Sequence, residues 1–297
     1  MSRRRAHARP DPTRPPPGLA LVPGQVRYQL VTLARNPIAT FTSVVVPVML
    51  LVALDLVTPE MTLASLGRER VVQFLTPAMS TFAVLNVGFV DTILGTTLSR
   101  EEGILKRLRG TPLPWWAYLA GRLGAVTVVA AGAVVLVVGV GVAFLHAHVA
   151  AAALPPLVET AGAGLAVSFA AGVALSGLVP SAEAALPIAY ALLLPVAFIS
   201  NVFFPAPAEA RWLRTLAAAL PAQPVASSME AAFTGGARGL SGHELVVLGL
   251  WAAGSVLVAG LGFSWEPGSA RLAARARSLA LLPRTLRWHA WRRDVRP

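Results

Sequence analysis

The sequence predicts an all-α integral membrane protein with six transmembrane helices, and two observations carry that prediction. Hydrophobic residues make up 55% of the 297 residues, charged residues make up only 13%, and the mean hydropathy is +0.65. A soluble domain needs far more charge than this to cover its surface. The apolar residues also fall in blocks of about 20, the length of helix that crosses ~30 Å of hydrocarbon.

Six such blocks define the expected spans. They cover residues 38–57, 71–98, 123–145, 157–179, 184–203 and 245–263. Pro47, Pro77, Pro187 and Pro195 lie inside these blocks. Proline is tolerated in a membrane helix because neighbouring helices can satisfy the carbonyl that it frees. We therefore expect one six-span domain over residues 37–263.

The segments that flank the six spans are basic. Residues 1–18 contain five arginines among five prolines and predict a disordered tail, and residues 264–297 predict a second basic tail. In residues 19–36, apolar side chains recur at helical spacing from Val22 to Leu33. This pattern predicts an interfacial helix that leads into the membrane.

The distribution of arginine and lysine predicts the orientation. With both termini in the cytoplasm, 20 of the 25 basic residues lie on the cytoplasmic side. The five on the other side are Arg68, Arg70, Arg211, Arg214 and Arg238. Cytoplasmic loops carry the excess of positive charge in membrane proteins, so the sequence predicts a multi-pass protein with cytoplasmic N- and C-termini.

Several classes of function are excluded or disfavoured. Cysteine is absent, so the chain has no disulfide framework and no cysteine metal site. A phosphate-binding P-loop needs lysine followed by Ser or Thr, whereas the only lysine, Lys106, is followed by Arg107. The net charge of +11 sits in the tails and one loop, so we expect no nucleic-acid partner. We predict no catalytic residues, no metal ligands and no cofactor bound by this chain.

The loop between the second and third spans predicts a short amphipathic helix. Ile104, Leu105 and Leu108 form one apolar stripe, which charged residues surround. Gly110 and the following Thr-Pro pair predict the end of this helix. From the residues alone, such a helix either offers apolar anchors to a partner protein or rests on the lipid surface, and the two interpretations stay open.

This loop resembles that of permeases of the ABC-2-type exporters, in which an acid and a glycine precede a short helix and a Gly-Arg pair opens the next span. The matching residues are Glu102-Gly103, Leu108, Thr111-Pro112 and Gly121-Arg122. A second resemblance follows the fifth span, where the family forms short helices on the outer side. Its residues are Ser200, Phe204-Pro205, Trp212-Leu213, Leu220-Pro221 and Pro224, with Arg211 where the family usually has proline. The resemblance covers roughly residues 24–263.

The resemblance implies the membrane subunit of an ATP-driven exporter in a bacterial plasma membrane, similar to drug- and antibiotic-export permeases. Its substrate would be drug-like, a lipid or another amphipathic molecule. Two ABC ATPase subunits would hold ATP and Mg, and a second permease copy or a paralogue would complete the pathway in the lipid bilayer. The loop would be a cytoplasmic coupling helix that contacts the ATPase through Arg100, Glu101, Glu102, Gly103, Ile104, Leu105, Lys106, Leu108, Thr111 and Pro112.

The second span carries a polar stripe that we expect to line the substrate pathway. At about 100° per residue, Gln73, Thr76, Ser80 and Asp91 fall within about 60° of one another. The alternative is that these groups only bond neighbouring helices inside one subunit. Two alternative functions are a membrane scaffold or biogenesis factor without transport, and an ion-coupled carrier. An ion-coupled carrier usually has several ionisable groups inside the membrane, whereas Asp91 is the clearest intramembrane acid in this sequence.

Overall fold

The computed structural model describes residues 18–35, 37–57, 62–63, 69–111, 113–203, 211–234 and 238–262. Apart from Gly18, the two predicted basic tails lie outside the described residues, as do Arg68, Pro112 and the Phe204-Pro205 pair. A pair of two-residue antiparallel strands, Thr62–Leu63 (β1) and Glu69–Arg70 (β2), is the only sheet among the described residues.

The rest of the described secondary structure is helical, and the prediction of an all-helical membrane fold is confirmed. The helices are α1 (Gly18–Ala34), α2 (Pro37–Val57), α3 (Val71–Leu85), a π-helical segment (Asn86–Asp91), α4 (Thr92–Glu101), α5 (Ile104–Arg109), α6 (Trp115–Ala143), a 3-10 turn (Ala151–Ala153), α7 (Leu154–Ser176), α8 (Ala182–Ile199), α9 (Arg211–Ala219), α10 (Ala222–Phe233) and α11 (Gly242–Gly262).

Five helical stretches in the described part of the chain are long and apolar enough to cross a membrane. They are Val71–Glu101, Trp115–Ala143, Ala151–Ser176, Ala182–Ile199 and Gly242–Gly260. The first predicted span corresponds to α2, whose apolar part, Ser43–Val57, is shorter. Five candidate spans are therefore established, and the count of six stays a prediction that depends on α2.

The continuous helix formed by α3, the π segment and α4 is the centre of the bundle. It packs against α2, α6, α7 and α10, while α11 packs mainly on α7 and α1 packs mainly on α6. Small residues allow these helices to approach closely. At Gly172, a Cβ atom would lie 2.9 Å from the main-chain oxygen of Phe89, and at Gly164 it would lie 2.9 Å from Val225.

The third span begins earlier than the sequence predicted. Helix α6 starts at Trp115, directly after Pro114, whose backbone is extended with ψ of 142°. The predicted start at residue 123 followed the onset of the continuous apolar run, but the aromatic residues before it are also helical. As a consequence, Arg122 lies two turns inside a membrane-length helix instead of in the preceding loop.

Candidate functional site

The loop between α4 and α5 is a tight turn that depends on one glycine. Helix α4 ends at Glu101, and Gly103 has φ of +70°, in the left-handed region that other residues rarely adopt. The six-residue helix α5 follows and ends at Arg109, where the Thr111 hydroxyl donates to the Leu108 carbonyl at 2.7 Å. The predicted short helix is thus present in the chain. The turn at Gly103 precedes it, and the hydrogen bond from Thr111 lies at its end.

The end of α4 is tied to the connection between α7 and α8. Arg100 is buried, and its Nη1 and Nη2 donate to the main-chain oxygens of Ser176 at 2.9 Å and Val179 at 2.6 Å. The Glu101 Oε1 accepts from the main-chain N–H of Ala182 at 2.8 Å, at the start of α8. These charge-assisted bonds connect the last two residues of α4, just before the turn into α5, to the end of α7 and the start of α8, which belong to two further candidate spans.

The predicted coupling residues therefore divide into two groups. Arg100, Glu101 and Leu105 are engaged inside this chain, and Leu105 has 0% of its surface exposed. Outward-facing positions remain for contact with a partner: Glu102, Lys106 and Thr111 are exposed, and Gly103, Ile104 and Leu108 are half-buried. The apolar stripe predicted from the sequence is thus not wholly available to another protein, because its middle residue packs against the chain itself.

A buried polar cluster lies beside this loop and joins four helical segments. The Ser43 hydroxyl of α2 donates to the Asp91 carboxylate at 2.5 Å, at the end of the π segment. The Arg122 Nη2 of α6 donates to the main-chain oxygens of Asp91 at 2.9 Å and Thr92 at 3.5 Å. Its Nη1 lies 3.4 Å from the Gln29 Oε1 of α1. We call Gln29, Ser43, Asp91 and Arg122 the arginine cluster.

The arginine cluster lies at the junction between the π segment and α4. A π-helical turn bonds i to i+5 and so departs from the regular ladder of main-chain hydrogen bonds of an α-helix. Arg122 supplies donors to carbonyls at the junction between the π segment and α4. Gly95, one turn further along, leaves the space for the guanidinium, because a Cβ atom at that position would overlap it.

A polar cavity connects the arginine cluster to the loop. Its volume is about 310 Å³, and α1, α4 and α6 enclose it. The polar residues that line it are Gln29, Thr32, Arg35, Asp91, Ser99, Glu102 and Arg122. The cavity thus extends from Asp91, inside the bundle, to Glu102 at the turn before α5.

The four residues of the predicted pathway stripe are all buried, and they do not share one site. Gln73 bridges two distant segments: its Nε2 donates to the carbonyls of His148 at 2.7 Å and Phe233 at 2.6 Å. Thr76 and Ser80 donate to carbonyls of their own helix, at 2.9 Å and 2.8 Å. These contacts favour bonding inside one subunit, and pathway lining stays a prediction.

The π segment also separates Asp91 from the rest of the stripe. The helical angle used for the prediction assumed about 100° per residue throughout. A π turn holds one extra residue, which rotates everything beyond it by roughly 100° relative to a regular helix. Asp91 accordingly contacts α2 and α6, whereas Gln73 contacts the segments that contain His148 and Phe233.

Sequence reasoning missed Gln29, Ser43 and Arg122 as members of this site. The sequence places Arg122 in a Gly-Arg pair and in the loop, because the continuous apolar run begins one residue later. A charged residue inside a span that lies between other helices is a strong signal for a functional or structural site. Ser43 and Gln29 carry no comparable signal, because single polar residues are common in such helices.

The model of a family described as ABC-2 type transporter matches residues 25–233, from within α1 to the end of α10. No curated protein and no solved structure matched the chain.

Proposed function

We propose that this chain, which belongs to the ABC-2 type transporter family, is the membrane subunit of an ATP-driven exporter. Family membership makes it a permease subunit of an ABC transporter. The further parts of the proposal are export, a drug-like, lipid or other amphipathic substrate, and a bacterial plasma membrane. ATP and Mg would bind two separate ATPase subunits, and a second permease copy or a paralogue would complete the pathway.

The proposed topology has six spans, with α2 as the first. Helix α2 has 21 residues and is therefore about 31 Å long, enough to cross the hydrocarbon. The excess of basic residues on the side of α5 supports cytoplasmic termini, a position of α1 at the cytoplasmic interface, and α9 and α10 on the outer side.

Single-cysteine labelling tests this topology cleanly because the chain has no cysteine. We expect an impermeant maleimide added to intact cells to label Arg214→Cys and Arg238→Cys. We expect Lys106→Cys to react only after the membrane is permeabilised. Labelling of position 106 in intact cells would reject the orientation.

Contact of α5 with the ATPase is the second part of the proposal, and the connection between α5 and the bundle is the observation that supports it most. Lys106 and Arg107 are exposed on α5, while Arg100 and Glu101 join its base to α7 and α8. A displacement of α5 by an ATPase would therefore act on α4, α7 and α8 together. Helix α4 leads on to the π segment and the arginine cluster.

The experiment reverses the exposed charges of α5. The double variant Lys106→Glu, Arg107→Glu changes only exposed side chains, so we expect normal membrane abundance. The ATPase that copurifies with the wild-type chain from its native host should no longer copurify, and substrate-stimulated ATP hydrolysis should be lost. The matched control is Arg238→Glu, an exposed basic residue predicted on the opposite side of the membrane.

Two results would contradict the proposal in different ways. If the double variant retains the ATPase and its stimulation, α5 rests on lipid and is not the docking element. If no ATPase copurifies with the wild-type chain, although the chain is functional in the host from which it is purified, the scaffold or the ion-coupled carrier is the better assignment.

A further inference from the structure

The polar cavity between α1, α4 and α6 has a buried inner end and an exposed mouth. Gln29, Asp91 and Arg122 form the inner end and are buried. Arg35 and Glu102 lie at the mouth and are exposed, beside the turn that leads into α5. Two arginines and two carboxylates therefore line the cavity, and their formal charges cancel. A ligand that matches this lining carries no net charge.

The carboxylate at the inner end has a neutral hydrogen-bond donor. Asp91 accepts from the Ser43 hydroxyl, while the Arg122 Nη2 is engaged with the main-chain oxygens of Asp91 and Thr92. A buried charge is destabilising unless it is paired and well hydrogen-bonded. The cavity beside Asp91 is therefore a favourable place for a cationic group that can donate hydrogen bonds.

The hydroxyl groups along the cavity strengthen this preference for a donor. Thr32 and Ser99 line it, and each donates to a carbonyl one turn earlier in its own helix, at 2.9 Å and 2.7 Å. Because a hydroxyl has one hydrogen and two lone pairs, both oxygens can still accept. Together with the carboxylates of Asp91 and Glu102, they suit a primary ammonium, which has three N–H donors and no acceptor.

The mouth of the cavity lies beside a helix face that is typical of a membrane interface. Tyr28, Val31, Thr32 and Arg35 share one side of α1 at about 100° per residue. Tyr28 and Val31 are 45% and 42% exposed, next to the exposed guanidinium of Arg35. Aromatic, apolar and basic residues on one exposed face indicate a helix at the level of the lipid headgroups.

Charge and position together identify the ligand. The ammonium group fits the inner end, and the anion that neutralises it fits the mouth beside Arg35. In a zwitterionic phospholipid the phosphate lies between the ammonium and the acyl chains, so this order leaves the chains outside the cavity, along the exposed face of α1.

We propose that the cavity between α1, α4 and α6 binds the headgroup of a bilayer phospholipid that carries a primary ammonium, the chemistry of phosphatidylethanolamine. Asp91 accepts from the ammonium, and Arg35 binds the phosphate. This binding goes beyond the transport function, because it needs neither an ATPase nor a transported substrate.

The test measures which lipid the purified full-length chain retains, by native mass spectrometry. The chain in detergent is mixed with equal amounts of phosphatidylethanolamine and phosphatidylcholine that have identical acyl chains. Both lipids carry the phosphate, but the quaternary ammonium of phosphatidylcholine has no N–H donor. We expect the wild-type chain to retain one phosphatidylethanolamine with a preference of at least about tenfold, which corresponds to ~1.4 kcal/mol.

Two variants locate the site, and each has a matched control. Asp91→Asn removes the inner charge, and Ser99→Trp fills the cavity from α4, so each should remove the preference. Asp55→Asn is the control for charge, because Asp55 is a half-buried acid of α2 that does not line the cavity. Thr127→Trp is the control for size, because Thr127 also donates to a carbonyl of its own helix, at 2.8 Å, outside the cavity. Both controls should keep the wild-type preference.

Three results would overturn the proposal. Equal retention of the two lipids by the wild-type chain would mean that water alone fills the cavity. A preference that survives both variants would place the lipid elsewhere on the chain. Displacement of the lipid by an equal concentration of soluble glycerophosphoethanolamine would make the ligand a soluble solute. Because the experiment contains no ATPase, its failure is distinguishable from failure of the transport assignment.

Discussion

The central helix Val71–Glu101 and the helix Gly242–Gly260 have nearly the same hydropathy and very different surroundings. The mean hydropathy of the most apolar window is 1.4 in the first and 1.5 in the second. Within those windows, 83% of the central helix is buried inside the chain, against 6% of α11. Hydropathy therefore identifies both helices as candidate spans but does not report what either one faces.

Polar residues distinguish the two helices. The central helix contains Gln73, Asn86, Asp91 and six hydroxyl residues that are all buried. Beyond its first turn, α11 contains only one hydroxyl residue, Ser255. Polar groups cannot face hydrocarbon without a partner, so a span rich in them must lie among other helices or beside water. The polar content of a span, combined with its hydropathy, is the better guide to its position in the bundle.

The largest effect is expected from Gly95→Ala in the central helix. A Cβ atom at position 95 overlaps the Arg122 guanidinium, which must then leave the carbonyls of Asp91 and Thr92. Overpacking and the lost charge-assisted bonds together should cost ~3 kcal/mol. The measurements are the melting temperature in detergent and the membrane abundance.

A double-mutant cycle identifies the cause of that loss. The overlap involves the Arg122 side chain, so Gly95→Ala should cost much less in an Arg122→Ala background. The control is Gly132→Ala on α6, where a Cβ atom meets nothing within 4 Å. Equal costs in both backgrounds would show that Gly95 does not make room for Arg122.

The second effect comes from the same substitution in the two compared helices. Leu75 of the central helix is 4% exposed, and Leu257 of α11 is 65% exposed. Moving a leucine side chain from lipid to the protein interior changes its free energy little. Leu75→Ala should therefore lower stability mainly through the cavity that it leaves, by on the order of 2 kcal/mol. Leu257→Ala should cost almost nothing, because lipid fills the space. If both variants lower the melting temperature equally, α11 is covered by protein along that face.

The sequence predicted the helical membrane class and the approximate position of every candidate span, because the length of an apolar run is a local property. It did not predict the π segment, because one extra residue in a helical turn leaves no mark on an apolar run; in the fold this segment lies against Arg122 and Gly172. Nor did it predict that Leu105 turns inwards. An apolar stripe on a short helix indicates that one side will be covered, and only tertiary packing decides by what.

The third effect concerns Asp91, a buried acid of the central helix, and it is an effect on function. An asparagine at position 91 still offers a side-chain oxygen to the Ser43 hydroxyl, so Asp91→Asn should keep most of the wild-type abundance. If Asp91 meets the substrate or water in the pathway, transport rate or substrate range should change more than abundance does. Transport assays normalised to membrane abundance measure this. Equal transport would assign Asp91 to packing, and Asp91→Leu would then lower abundance alone.

The smallest effect is expected at Glu230 on α10, which packs on α3 and α7 outside the candidate spans. Partial burial raises the pKa of its carboxyl above the ordinary value of 4.5. The folded chain therefore holds the proton more tightly than the unfolded chain does. The stability that Glu230 contributes is present below that ordinary value and is lost as the pH rises through the raised pKa.

Glu230→Gln should accordingly raise the melting temperature at neutral pH and leave it unchanged in acid. The exposed Glu102→Gln variant is the control. The same gain at both pH values would trace the effect to packing, and no gain at neutral pH would mean that the Glu230 carboxyl is hydrated.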